Sequence, residues 1–170
     1  SAAGQCGEPA TLIHDIQGAG PAAALTGTVV VEALVVGDFQ DTLRGLRGFF
    51  IQEEEEDHDD DSTTSEGLFV LDNGFGVDVT EGDLVRVRGV VNEFNQLTRL
   101  IRVSAVVVCS QGHTLTPTPV RLADGVDLEA SEGMLVALEG PVTVAQNYFL
   151  GRYGQMTLAG GERPFQPTHL

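Results

Sequence analysis

The sequence has no lysine and no tryptophan, and it has little positive charge of any kind. Nine arginines stand against 25 acidic residues, so the formal net charge is −16. A surface with this charge repels phosphate at low ionic strength. The composition therefore excludes polynucleotide binding over a broad face and leaves only a local arginine patch for that role. Such acidity suits a salty, halophilic setting, although a GC-rich genome equally favours arginine over lysine.

Long hydrophobic runs are also missing. No stretch approaches the 18 apolar residues that a membrane-spanning helix requires, so we expect no membrane partner. With 170 residues, the chain is long enough for one well-packed domain, or for one small domain with an appendage that leans on it. We expect the protein to be a monomer.

Glycine is abundant, at 21 positions, and short runs of valine and leucine lie between the glycines. This pattern favours an all-β fold. Five segments have strand character, and their order and lengths predict a five-stranded Greek-key barrel of the oligonucleotide/oligosaccharide-binding (OB) type with a C-terminal β-rich extension. The five segments are 28–36, 48–52, 67–71, 84–93 and 104–109.

The predicted barrel occupies residues 25–112. Residues 1–24 are predicted to be an irregular segment tied to the barrel, and residues 113–170 to be a β-rich extension or a partial second barrel. The second option rests on a faint internal repeat. TGTVVVEALVV from Thr26 and EGMLVALEGPVTV from Glu132 both place alternating apolar residues after a turn glycine.

The two cysteines are Cys6 and Cys109. An even count favours a disulfide in an exported protein, and this bridge closes a loop of about 100 residues, worth roughly 4–5 kcal/mol in the chain-entropy model. The glycine-rich start of the chain also needs an anchor. Two unrelated buried thiols are the alternative.

Residues 84–93 form the clearest predicted strand. Alternation places Arg86 and Arg88 on one face and Val85 and Val87 on the other. Gly89 in the middle of the strand predicts a bend of the kind that closes a small barrel. We expect the arginine face to be exposed to solvent.

Eight stretches that span nearly the whole chain are similar, in order and spacing, to segments of one family. They are IHDIQG (13–18), VVGDFQ (35–40), GFFIQE (48–53), TSEGLFV (64–70), GDLVRVRGVVNEFNQLT (82–98), EGMLVAL (132–138), NYFLGRYGQMTL (147–158) and QPT (166–168). Together they resemble the OB-like module of bacterial extracellular endonucleases and exonucleases that carry a downstream catalytic domain of the endonuclease/exonuclease/phosphatase type.

The resemblance implies a secreted or cell-surface protein whose catalytic domain begins beyond Leu170 and is the main partner of this module. The parent protein is then a metal-dependent nuclease, and the module itself is not an enzyme and requires no cofactor. The residues agree with this expectation. The four histidines (14, 58, 113 and 169) form no persuasive dyad with a carboxylate, and no GxSxG, HExxH, phosphate-loop or CxxC motif is present.

The acidic run EEEEDHDDD, residues 53–61, lies where the family commonly carries alternating aspartate and glycine, similar to a calcium loop. The glycines are absent here. Asp57, Asp59 and Asp61 keep the alternation and are the candidate calcium ligands. The alternative is a flexible, solvated acidic loop, because contiguous carboxylates repel one another.

An OB barrel binds single strands on aromatic rings flanked by arginine. The candidates for contact with DNA or RNA are Arg86, Arg88, Phe94, Asn95, Arg99, Tyr148, Arg152 and Tyr153. For Phe49, Phe50 and Phe69 the core is the favoured location. Two functions remain open. One is a module that binds or orients nucleic acid for the catalytic domain, and the other is a structural spacer or docking domain, with or without calcium, that has no nucleic-acid ligand.

Overall fold

The computed structural model describes residues 2–40, 46–122, 126–153 and 156–161. The chain divides into two compact units. The first comprises Ser1–Pro117 and Leu128–Leu135, and the second comprises Thr118–Asp127 and Val136–Leu170. Residues 128–135, which the sequence places in the C-terminal extension, therefore belong with the barrel.

The first unit is a closed barrel of five strands in the order β1-β2-β3-β5-β4, with β1 paired to β4. The strands are β1 (Gly27–Phe39), β2 (Gly48–Gln52), β3 (Gly67–Val70), β4 (Leu84–Phe94) and β5 (Leu97–Ser110). Neighbouring strands are antiparallel except β3 and β5, which are parallel. The predicted all-β class and the five-stranded barrel are confirmed.

β4 and β5 form a long hairpin, and β5 begins well before the predicted start at Ser104. The turn is Asn95-Gln96, where φ is 52° and 63°, as a two-residue type I′ turn requires. Beyond the turn, Arg102 has a φ of 48°, and the β4–β5 register shifts between Arg88 and Val90. This bulge opposite Gly89 interrupts the apolar alternation of β5, which is why its first half does not look like a strand in the sequence.

Alternate residues of the five strands point into the barrel and form its core. The fully or almost fully buried apolar residues from the strands include Val31, Ala33, Val35, Phe49, Ile51, Leu68, Val70, Val85, Val87, Val91, Leu100 and Val106. A short helix before the barrel, α1 (Ile13–Gln17), adds Ile13 and Ile16 to the same core. None of the helices in the described ranges is long and apolar enough to cross a membrane.

The predicted disulfide between Cys6 and Cys109 is confirmed, and it links positions 103 residues apart. It fastens the N-terminal segment to the end of β5. The segment is held at a second place, where the backbone N–H of Thr11 donates to the carbonyl of Val30 on β1 at 2.7 Å. The irregular start of the chain is therefore part of the barrel surface.

The second unit contains two small sheets and a one-turn helix, α2 (Leu150–Tyr153). β6 (Thr118–Val120) runs parallel to β7 (Val136–Leu138), and β8 (Val142–Gln146) pairs antiparallel with β9 (Thr157–Gly160). Several large apolar side chains of this unit are exposed: Leu138, Val142, Val144, Tyr148, Phe149, Leu150, Met156 and Leu158.

We expect that replacing Cys6 and Cys109 together by alanine lowers the free energy of unfolding by about 2–5 kcal/mol, because the bridge closes a very long loop. Urea unfolding followed by far-UV circular dichroism measures the change. The wild-type protein in strong reductant is the matched control and should reproduce the variant. An unchanged urea midpoint would show that the bridge does not stabilise the barrel.

Candidate functional site

A line of aromatic rings crosses the outer surface of the barrel. Phe50 on β2 lies opposite Phe69 on β3, with their ring centroids 4.8 Å apart. Phe39, at the end of β1, meets the ring of Phe50 edge-on at 5.9 Å. The neighbours of these residues along the strands, such as Phe49 and Leu68, fill the core, so the three rings lie on the other face.

An arginine and a fourth phenylalanine continue the line on β5 and β4. Arg99 is paired with Phe69 across the parallel β3–β5 ladder. Its Nε donates a hydrogen bond to Asn92 Oδ1 at 3.0 Å, and its guanidinium carbon lies 4.2 Å from the ring centroid of Phe94. We call this set the Phe–Arg strip. It consists of Phe39, Phe50, Phe69, Arg99 and Phe94.

The strip is most accessible at its two ends. Phe39 is 42 % exposed and Phe94 is 52 % exposed, whereas Phe69 is buried and Phe50 is half-buried. Gly48 allows the close packing in the middle, because a Cβ there would clash with the carbonyl oxygen of Val70 and with the ring of Phe69. The sequence-based expectation of a buried location holds for Phe49 and for Phe69. Phe69 is buried although, like the half-buried Phe50, it projects from the outer face of the sheet.

Arg86 is on the outer face with Arg88, as the alternation predicts, but it is only 2 % exposed. The N-terminal segment covers it and accepts hydrogen bonds from its guanidinium at the carbonyls of Ala3, Glu8 and Pro9, over 2.6–3.0 Å. An ion pair with Glu32 at 2.9 Å completes its contacts. The expectation of solvent exposure is therefore wrong for Arg86, and this residue is not available to a nucleic acid.

Arg88 is half-buried and donates to Ser104 Oγ at 2.8 Å. It lines a groove of about 460 Å³ between the N-terminal segment (Pro9–Thr11) and the start of β1 (Thr28–Val30). Asn95 is exposed in the turn that follows Phe94. The structure therefore brings Phe94, Asn95 and Arg99 into one region and places Arg88 in the groove.

The remaining nucleic-acid candidates belong to the second unit. Tyr148 is 78 % exposed, and its ring packs edge-on against Phe149 at 4.9 Å. Arg152 and Tyr153 fall in α2, but their side chains lie outside the described part of the structure.

The aspartates proposed as calcium ligands are not gathered around one point. Asp57 is exposed at the end of a 3-10 turn, Glu55–Asp57. Asp59 Oδ1 accepts from the backbone N–H of Asp61 at 2.8 Å, and Asp61 Oδ1 accepts from that of Thr63 at 2.9 Å. Among the residues that the structure describes, Asp57, Asp59 and Asp61 do not form a group of ligand atoms within 4.8 Å of one another. The loop is instead shaped by its own turns.

Asp59 faces a different pair of residues, His14 and Glu66. Nδ1 of His14, on α1, lies 3.0 Å and 3.2 Å from the two carboxylate oxygens of Glu66, at the start of β3. The backbone N–H of Asp59 donates to Glu66 Oε1 at 3.0 Å, and Thr64 Oγ1 donates to the Asp59 carboxylate at 2.9 Å. One ligand-type atom from each of the three residues lies within 4.8 Å of the others. We call His14, Asp59 and Glu66 the His14 cluster.

Interactions within the cluster raise the pKa of His14 and lower that of Asp59, so they favour the charged forms of these two side chains. Burial by itself lowers the pKa of His14, but the hydrogen bond and charge of Glu66, with the charge of Asp59, outweigh it and raise the pKa. For Asp59, burial raises the pKa, but hydrogen bonds from the Asp61 N–H and the Thr64 hydroxyl together outweigh it and lower the pKa. His14 and Glu66 form an ion pair when the imidazole is protonated.

Glu53 is a buried acid next to the cluster. Its backbone N–H donates to the carbonyl of Glu66 at 3.0 Å, which extends the β2–β3 ladder by one pair. Its Oε1 accepts from the backbone N–H of Ile13 at 2.7 Å, and its Oε2 is buried with no hydrogen-bond partner among the described residues. Burial raises the pKa of Glu53 to about 8. The hydrogen bond from the backbone N–H of Ile13 opposes this rise, whereas the negative charges of Asp57 and Glu66 add to it.

Sequence reasoning missed the His14 cluster because its members come from three segments that only the fold joins. His14 and Glu66 are 52 residues apart. The one usable signal was local. His14 lies between two core isoleucines, and Glu66 directly precedes the glycine that opens a buried strand, so each is a charged or titratable residue next to core positions.

Comparison of the chain with protein-family models, with curated proteins and with solved structures finds no match. The function is therefore inferred from the barrel, the Phe–Arg strip and the His14 cluster.

The raised pKa of Glu53 has a consequence for stability. The folded state binds this proton more tightly than the unfolded chain, whose carboxyl has an ordinary pKa near 4.5. The stabilisation is complete below that pH and is lost as the pH rises through about 8. Glu53→Gln keeps an acceptor for Ile13 and cannot ionise, so it should gain stability relative to wild type by up to about 1.4 kcal/mol per pH unit between about pH 5 and pH 8.

Thermal melts of both proteins across this pH range, in the presence of a chelator, measure the effect. Glu55→Gln removes an exposed acid from the same loop and is the matched control, for which no pH-dependent gain is expected. A constant difference between Glu53→Gln and wild type at all pH values contradicts the assignment.

Proposed function

We propose that this barrel is a non-catalytic module of a secreted bacterial nuclease, and that it holds single-stranded nucleic acid along the Phe–Arg strip for the catalytic domain. The observation that carries the proposal is the line of side chains from Phe39 to Phe94, which takes one residue from each of the five strands on the outer face of the barrel. Bases stack on aromatic rings whatever their sequence, and such stacking contributes about 1–3 kcal/mol per base.

The charge distribution supports a narrow binding track. With a net charge of −16, most of the surface repels a polynucleotide. Arg99 is the cation in the middle of the strip, and its side chain is already oriented by Asn92 and by the ring of Phe94. A strand that follows the rings meets Arg99 with a phosphate or a base edge, which limits binding to a few nucleotides.

Secretion is part of the same proposal. The disulfide between Cys6 and Cys109 agrees with an oxidising compartment, where such bridges persist. The resemblance of the eight sequence stretches to the modules of extracellular nucleases points the same way. The catalytic domain of the parent protein is then the main partner of this module.

A structural spacer that docks on the catalytic domain and binds no nucleic acid is the second candidate. The observation in its favour is the acidic surface, together with the burial of Arg86, which removes one of the nine arginines from the surface. The two candidates differ in whether the isolated protein binds an oligonucleotide.

Fluorescence anisotropy with a labelled 12-nucleotide poly-dT strand, at low and moderate salt, tests the proposal. We expect binding to the wild type, and the substitution Phe94→Ala should weaken it by about 1–3 kcal/mol, a factor of roughly 5 to 150 in Kd. Phe94 suits the test because its side chain is more than half exposed, so its loss should leave the fold intact.

Tyr148→Ala is the matched control, since it removes an exposed aromatic ring from the second unit. Weaker binding by Tyr148→Ala, with unchanged binding by Phe94→Ala, would place binding outside the strip. Absence of salt-sensitive binding by the wild type would favour the spacer. Arg86→Glu is unsuitable for this purpose, because it breaks the buried contacts of the N-terminal segment.

A further inference from the structure

The His14 cluster joins three parts of the barrel unit. His14 comes from α1, Asp59 from the acidic loop between β2 and β3, and Glu66 from the residue before β3. Their nitrogen and oxygen ligand atoms lie within 4.8 Å of one another. One imidazole and two carboxylates are donors that zinc and related divalent transition metals accept, whereas calcium and magnesium prefer an all-oxygen set.

The Asp59 carboxylate is already oriented by hydrogen bonds from outside the ligand set. Thr64 Oγ1 and the backbone N–H of Asp61 donate to the Asp59 carboxylate, at 2.9 Å and 2.8 Å. Outer contacts of this kind fix ligands in metal sites and reduce the entropy lost on binding. The turns that shape the acidic loop therefore also aim Asp59 at His14 and Glu66.

Glu53 supplies an independent indication of a missing cation. Directly opposite residues of an antiparallel pair project to the same side with their Cβ atoms about 5 Å apart, so the side chains of Glu53 and Glu66 lie on the same side of the β2–β3 ladder. Glu53 is 3 % exposed, and its Oε2 has no hydrogen-bond partner among the described residues. A buried acceptor without a partner is costly, and a cation bound next to Glu66 compensates for it.

We propose that His14, Asp59 and Glu66 bind one divalent transition-metal ion of the zinc type, with Glu53 as the buried acid behind the site. The ion ties the acidic loop and α1 to the edge of the β2–β3 ladder. This site differs from the expected calcium site, with which it shares only Asp59. It does not depend on the proposal that the Phe–Arg strip binds nucleic acid.

The test uses the whole chain after dialysis against a chelator. Isothermal titration with zinc chloride should show one equivalent bound, and cobalt(II) at the same site should give visible d–d absorption that zinc displaces. Because removal of an outer contact already costs about 10–100-fold in affinity, His14→Gln and Asp59→Asn should each weaken zinc binding by about 100-fold or more.

Asp60→Asn is the matched control. It removes the same charge from the same loop as Asp59→Asn, and asparagine tolerates the positive φ of 60° at this position. Affinity for zinc should be essentially unchanged. Far-UV circular dichroism without metal checks the folding of each variant, and if His14→Gln is unfolded, the comparison of Asp59→Asn with Asp60→Asn decides.

Three results would overturn the site. The first is no stoichiometric zinc binding by the wild type. The second is an equal loss in Asp59→Asn and Asp60→Asn, which indicates diffuse attraction to the acidic loop. The third is calcium binding at least as tight as zinc binding and unaffected by His14→Gln, which indicates a carboxylate-only calcium loop.

Discussion

The pairing of β1 with β4 from Gly27 to Leu34 closes the barrel, and the other features take their positions from this seam. Glu32 and Arg86 are opposite one another in its register. Their ion pair is covered by the N-terminal segment, which the disulfide holds in place. A buried ion pair is stable only when its remaining donors and acceptors are satisfied. The carbonyls of Ala3, Glu8 and Pro9 satisfy Arg86, so the segment and the pair depend on each other.

The charged side chains of this protein have different roles in different parts of the barrel. The ion pair of the seam is internal and structural, and the His14 cluster holds a second, partly buried pair at the edge of the β2–β3 ladder. Arg99 lies among aromatic rings, where its contact is with Phe94 and Asn92. Most of the acids in the acidic loop are exposed, whereas Glu53 and Glu66 are buried. Arg86, Arg88 and Arg99 each have a defined hydrogen-bond partner, which suits selective contact better than broad attraction.

The barrel was predictable because its strands are bounded by glycines and alternate regularly. β2 begins and ends where the sequence predicts, and the bend at Gly89 coincides with a shift in the β4–β5 register. The first half of β5 was not predictable, because the bulge at Arg102 moves its side chains out of simple alternation. Alternation also assigned Arg86 to the correct face. It did not show that residues far away in the sequence cover that face.

Prediction of the candidate sites has the same limit, because contacts between residues far apart in the sequence are not visible in local patterns. Phe94 and Arg99 are close in sequence, and their proximity follows from a hairpin. Phe39, Phe50 and Phe69 form a line only because three strands are in register, which no local pattern reveals. Asp59 was predicted to be a metal ligand together with the neighbouring aspartates, but the ligand-type atoms that its carboxylate approaches belong to a histidine and a glutamate from distant segments.

Residues 128–135 belong to the barrel unit although the ten residues before them do not, and this affects which truncated fragments keep the barrel covered. Glu132 accepts hydrogen bonds from the backbone N–H of Thr98 and from Gln17, and the backbone of Gly133 lies against Gly67. The polypeptide thus passes between the two units three times, at residues 117–118, 127–128 and 135–136. A fragment that stops at the end of β5 carries all five strands but leaves these groups uncovered. The compact unit that contains the barrel is therefore a discontinuous piece of sequence.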